Sequence, residues 1–215
     1  LKKNERKLIS GLSVLFVAVL GVVMQLLLSR RPSEAFAQFN YYTLQTNLIV
    51  SIVAFLNIVS DWKGWKSHKV GEVLRILNGG SVLWITVTMT IYHLFLSGYY
   101  RPEGIALIAN TLLHYVTPVA AIIHWAIFEE RSSYRSFYPL LWVLYPFGYA
   151  AVSVVRGELN GFYPYWFLNP SSEYPAGIGS YTNLFVFILS VGAIFVVIGY
   201  LMVLLNHLSP RHKLM

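Results

Sequence analysis

Asn40-Tyr41-Tyr42-Thr43-Leu44-Gln45-Thr46-Asn47 runs directly into Leu48-Ile49-Val50-Ser51-Ile52-Val53-Ala54-Phe55-Leu56, so hydrogen-bonding side chains stand at the entrance of an apolar segment of membrane length. An α-helix rises about 1.5 Å per residue, and roughly 30 Å of hydrocarbon takes about 20 residues to cross. A second polar intrusion, Asn110-Thr111-Leu112-Leu113-His114-Tyr115-Val116-Thr117-Pro118, lies inside another such segment. Polar groups at membrane depth face a bundle interior or a wet cavity, so these two clusters are where function is sought.

The surrounding composition agrees with a lipid environment. Hydrophobic residues make up 56% of the 215 and charged residues 12%, against roughly 25% charged in a soluble domain. Six stretches are long and apolar enough to cross, near residues 8 to 28, 38 to 60, 73 to 97, 104 to 128, 137 to 156 and 180 to 206. The expectation is an all-α polytopic membrane protein, one six-helix domain over residues 1–215. The run from Leu8 to Leu28 exceeds the roughly 7 to 15 apolar residues of a cleaved signal, and Arg30, Arg31 and Pro32 precede the Ala35-Phe36-Ala37 that resembles a cleavage site, so it reads as a retained helix.

The formal charge of +7 does not point to nucleic acid, because the basic residues gather at alternate ends of the spans. Lys2, Lys3, Arg6, Lys7, Lys63, Lys66, Lys69, Arg75, Arg131, Arg135, Arg211 and Lys213 fall on one side, and only Arg30, Arg31, Arg101 and Arg156 on the other. Positive residues mark the cytoplasmic side. Both termini are therefore expected in the cytoplasm of a multi-pass cell-membrane protein, with the loops after spans one, three and five outside. The loop from Gly157 to Gly179 is long and aromatic, and it reads either as an interfacial belt or as a cap hinged near Gly177 and Gly179.

Absences narrow the chemistry. There is no cysteine, which removes disulfides, thiolate metal sites and a cysteine nucleophile. Asp61 and all eight glutamates lie in the tail, in loops or at span ends, which removes paired-carboxylate hydrolysis and an aspartyl dyad within the bilayer. Glu129 and Glu130, at the cytoplasmic end of span four, read as solvated.

Histidine, hydroxyl and amide groups remain. Thr43, Thr46, Asn47 and Val50 share one helix face by i, i+3, i+4 spacing, as do Asn110, His114, Thr117 and Ala121. A neutral imidazole within about 3 Å of a threonine hydroxyl can take its proton during attack on a carbonyl carbon. His114 is the candidate base. Asn110 or Asn47 would fix its tautomer or donate to an oxyanion. Spacing alone equally fits an interhelical hydrogen bond. His93 reads as a supporting interfacial residue. Arg156 reads as a cation snorkelling from span five or as an anchor for a substrate carboxylate.

Tyr41-Tyr42-Thr43-Leu44-Gln45-Thr46-Asn47-Leu48, Ile85-Thr86-Val87-Thr88 with Tyr92-His93, Asn110-Thr111-Leu112-Leu113-His114-Tyr115 with Pro118, and Val155-Arg156-Gly157 before Tyr163-Pro164-Tyr165 resemble bacterial relatives of the androgen-induced membrane hydrolases, a family that includes the androgen-dependent TFPI-regulating protein. The resemblance implies a membrane threonine hydrolase of fatty acid esters of hydroxy fatty acids. It places the nucleophile at Thr43 and the base at His114. Tyr42, Thr46, Asn47, His93, Asn110 and Arg156 are this reading's own supporting or substrate-binding candidates. The implied pocket opens to the outer face and needs no metal or cofactor. Two other classes remain open. One is a channel, transporter or receptor whose solute path the polar stripes line. The other is a haem electron carrier ligated by His93 with His114, or by His124 with His207.

Overall fold

In the computed structural model, residues 2–65 and 68–208 are described, with position 68 as backbone only. Every regular element among them is helical: α1 Lys3–Leu27, α2 Pro32–Gln38, α3 Tyr42–Lys63, α4 His68–Ile91, α5 Gly104–Thr111, α6 Thr117–Phe128, α7 Tyr138–Trp142, α8 Leu144–Asn160 and α9 Tyr181–Leu208. Two π-helical turns, Tyr92–Leu96 and Leu112–Val116, continue α4 and join α5 to α6. Six helical spans are long and apolar enough to cross a membrane: Lys3–Leu27, Tyr42–Lys63, Lys69–Leu96, Gly104–Phe128, Tyr138–Asn160 and Tyr181–Leu208. Lys66, Arg211 and Lys213, counted above in the basic bias, lie outside the described residues.

One boundary differs from expectation in a way that matters for the site. The second span begins at Tyr42 and not near residue 38, because α2 and a short turn come first. Pro32 opens α2, where a missing N–H costs nothing, and Arg31 before it is extended, as a residue preceding proline prefers. Thr43 thus sits in the first turn of α3. That helix ends on Gly64, whose φ of 67° is a left-handed conformation that glycine adopts without strain.

The chain forms two compact units. The first is Leu1–Tyr134 with Leu205–Met215, and the second is Arg135–Leu204. In the first, α1 packs along α3, and α4, α5 and α6 complete the group. Its apolar centre includes Val14, Ala18, Val50, Ile85 and Ala121, a layer that burial stabilises at roughly 25 cal/mol per Å² of apolar surface. Asn206, in the last turn of α9, accepts from the Ser133 N–H at 3.0 Å and donates to the Glu130 carbonyl at 2.8 Å, tying that turn to the connection after α6.

The second unit contains the long aromatic loop, which is internally bonded. Asn169 Nδ2 donates to the Ala176 carbonyl at 3.1 Å, and the Ile178 N–H returns to the Asn169 carbonyl at 2.8 Å. Phe167 and Leu168 are buried within it. Gly177 is a close-packing point: a Cβ there would stand 2.3 Å from the Ser172 carbonyl oxygen. The ring of Tyr163 lies against Gly157 in the same manner.

Candidate active site

The two polar stripes meet inside the first unit. Thr46, Asn47 and Val50 of α3 are buried, as are Asn110, His114, Thr117 and Ala121 from α5 through α6, while Thr43 is half-buried. Thr43 Oγ1 and His114 Nε2 are 3.1 Å apart. The other ring nitrogen, Nδ1, is 3.0 Å from the backbone carbonyl of Asn110 one turn earlier. A carbonyl only accepts, so Nδ1 carries the proton and Nε2 presents a lone pair to the threonine hydroxyl. That is the tautomer a general base requires.

Tyr92 holds the imidazole from its face, stacked at 3.8 Å between centroids and 23° between planes. Its hydroxyl accepts from Asn110 Nδ2 at 2.7 Å. Asn110 therefore acts twice, fixing the histidine through its backbone and the tyrosine through its side chain. Both aromatic partners come from π-helical turns, Tyr92 from one and His114 from the other. Such turns, with i to i+5 bonding, are rare and concentrate at functional sites.

Proline explains part of the second π turn. Leu112's carbonyl receives the Thr117 N–H in the i+5 pattern; in the same pattern Leu113's donor would be residue 118, a proline without an N–H. Asn47 Nδ2 takes that place at 3.0 Å and also donates to the Thr43 carbonyl at 2.9 Å. One amide thereby links the turn that carries Thr43 to the turn that carries His114. With both hydrogens so committed, Asn47 positions and does not donate to an oxyanion. Gly21 of α1 gives the bulged turn its room, since a Cβ there would approach Leu113 Cδ2 to 3.1 Å and Leu112 Cβ to 3.2 Å.

Thr46 lies one turn further along α3, its hydroxyl 2.9 Å from that of Thr88 and 3.1 Å from the Thr43 carbonyl. Beside this layer, Asn47 Oδ1 and Thr117 Oγ1 are buried without a hydrogen-bond partner among the described residues. Unsatisfied buried polar atoms are uncommon, and they concentrate where chemistry or a bound molecule uses them. Tyr42 is buried at the start of α3.

No family model, curated protein or solved structure matches this chain.

The remaining candidates fall elsewhere. His93 is exposed, and its Nδ1 is 3.2 Å from the Tyr115 hydroxyl. Arg156 is half-buried on α8 of the second unit, whereas the Thr43 and His114 pair is built wholly from the first. The other two histidines weighed as haem ligands also hold protein partners, His124 with Ser10 Oγ at 2.9 Å and His207 with the Tyr134 carbonyl at 2.9 Å. Sequence reasoning assigned no role to Tyr92, Thr88 or Tyr115. Tyr92 was legible in principle as an aromatic beside His93, but which ring would meet His114 depends on the π turn.

Glu129 corrects the reading of a solvated end. It is half-buried, and Asn78 Nδ2 donates to it at 3.4 Å. Tyr134 also hydrogen-bonds its carboxylate, and the Tyr134 hydroxyl accepts from Trp125 Nε1 at 2.8 Å. Burial above all, and then Glu130, push the Glu129 carboxyl up to about 7 against the pull of Lys7.

Proposed function

We propose that the first unit is an ester hydrolase working at membrane depth, with Thr43 as nucleophile and His114 as general base and then acid. The observation that carries this reading is the 3.1 Å approach of Thr43 Oγ1 to an imidazole whose Nδ1 is held by the Asn110 carbonyl. A threonine hydroxyl attacks poorly unless a positioned base removes its proton in the transition state. Here the base is in reach, its tautomer is set, and Tyr92 fixes its ring plane.

The steps balance without another reactant than water. Thr43 Oγ1 attacks the ester carbonyl carbon as its proton passes to His114 Nε2. The tetrahedral intermediate collapses, the leaving alcohol takes that proton, and an acyl-threonine ester remains. Water, deprotonated by His114, then attacks the same carbon, the bond from that carbon to Thr43 Oγ1 breaks, and Oγ1 regains the proton from His114 as the carboxylic acid leaves. Surroundings of span residues favour a lipid ester, and the motif resemblance narrows the class to fatty acid esters of hydroxy fatty acids.

The test is hydrolysis of a long-chain ester of a hydroxy fatty acid by purified protein in neutral detergent. Thr43→Ala and His114→Ala are each expected to lower the rate by a factor on the order of 10³ or more, and the double variant to be little worse than either. A hydrogen bond that only joins helices is worth about 0.6 to 2 kcal/mol of stability and no rate. Thr43→Ser keeps the hydroxyl and should keep activity. Undiminished hydrolysis by Thr43→Ala would return the pair to a structural or transport role.

A further inference from the structure

A cavity of about 1080 Å³ lies at the basic end of the first unit, at the upper end of the roughly 300 to 1,000 Å³ usual for small-molecule sites. Its lining changes character with depth. Lys3, Arg6, Arg75 and Arg131 stand around the mouth. The ion pair of Lys7 with Asp61, at 2.6 Å, and the amides of Asn57 and Asn78, 2.6 Å apart, occupy the middle. Val14, Val50, Val82 and Ala121 form the floor. Along α1 the floor at Val14 and the mouth at Lys3 are eleven residues apart, so the cavity runs roughly 16 Å parallel to the helices.

The charges leave the mouth positive. Five basic side chains line the cavity against three acidic ones. Lys7 covers Asp61, Arg75 stands 3.7 Å from Glu130, and Glu129 is held by Asn78 and Tyr134. A compact polar solute would leave the valine floor without contact, and a neutral hydrocarbon would cover the paired charges at a desolvation cost. An anion that carries an acyl chain meets both demands.

We propose that this cavity binds an acyl-chain amphiphile with an anionic headgroup, an acyl chain against Val14, Val50, Val82 and Ala121 and the headgroup among Lys3, Arg6, Arg75 and Arg131. The site is separate from the candidate catalytic pair. Val50 and Ala121 each follow Thr43 and His114 by seven residues, roughly 10 Å along their helices, and the apolar layer that includes Ile85 lies between. The proposal holds whether or not Thr43 is a nucleophile. The headgroup chemistry is shared by a free fatty carboxylate and by an anionic membrane phospholipid.

Native mass spectrometry of the purified protein, released from neutral detergent and titrated with palmitate, hexadecanol or phosphatidylglycerol, tests it. Palmitate should bind saturably and at least tenfold more tightly than hexadecanol. Ala54→Phe, which fills the apolar limb, should weaken palmitate tenfold or more. Lys3→Gln and Arg6→Gln together, at exposed rim positions, should weaken palmitate and spare hexadecanol. Thr43→Ala should bind as the parent does, which separates this site from the hydrolase reading. Displacement of palmitate by phosphatidylglycerol would assign the occupant to the bilayer, and resistance to it would assign a free fatty anion. Equal binding of palmitate and hexadecanol, or unchanged palmitate binding in the rim variant, would overturn the proposal.

Discussion

Single residues decide the protonation states on which the account rests. At His114 a backbone carbonyl takes the place that a carboxylate fills in many hydrolases, which suits a span with no acidic residue at that depth. The spacing of Asn110 and His114 by four residues put the two on one helix face in the sequence, with Asn110 or Asn47 expected to fix the tautomer, and the bond is made by the Asn110 backbone carbonyl. Glu129 was not legible, because its partner Tyr134 lies beyond the span in a connection with no periodic pattern. Its raised carboxyl has a consequence for stability. The folded protein holds that proton more tightly than the unfolded chain, so the stabilisation is fully present below about pH 4.5 and is lost as pH rises through about 7. The effect is at most about 3 kcal/mol. Thermal unfolding in neutral detergent should show the parent losing stability relative to Glu129→Gln between pH 5 and 7.5; parallel curves for the two proteins would contradict it.

At the scale of elements, the two π turns are what bring a tyrosine face onto a histidine. Helix existence and length followed from about 20 apolar residues per span, which is why the six spans agree with the sequence reading to within about five residues, the widest difference lying at the start of α1. A π turn leaves no such compositional mark. Pro118 is the one local hint, since it denies a donor to a preceding carbonyl. Asn47 supplies the missing bond from another helix, a relation that one-dimensional spacing does not reveal. Asn47→Leu should therefore cost about 1 to 3 kcal/mol of stability by stranding the Leu113 carbonyl, and should lower hydrolysis by shifting the Thr43 turn. Pro118→Ala, which restores the N–H, should partly rescue the stability of Asn47→Leu. Additive losses in the double variant, read from thermal unfolding, would show that the two residues do not serve the same carbonyl.

For the whole molecule, the distribution of charge along the sequence predicts orientation. The bias of basic residues places Lys66 and Lys213 in the cytoplasm and Glu158 and Glu173 outside. Because the chain has no cysteine, single cysteines at these positions can be labelled with an impermeant maleimide in intact cells. Labelling at 158 and 173 but not at 66 or 213 is expected, and the reverse pattern would turn the cavity of the first unit outward. The central claim is that Thr43 is a nucleophile, and it is tested most directly by treating the purified protein with a fluorophosphonate probe and mapping the modified residue by mass spectrometry. The account predicts a single adduct on Thr43, absent from Thr43→Ala and strongly reduced in His114→Ala; full labelling of Thr43→Ala, or an adduct on another residue, would contradict it.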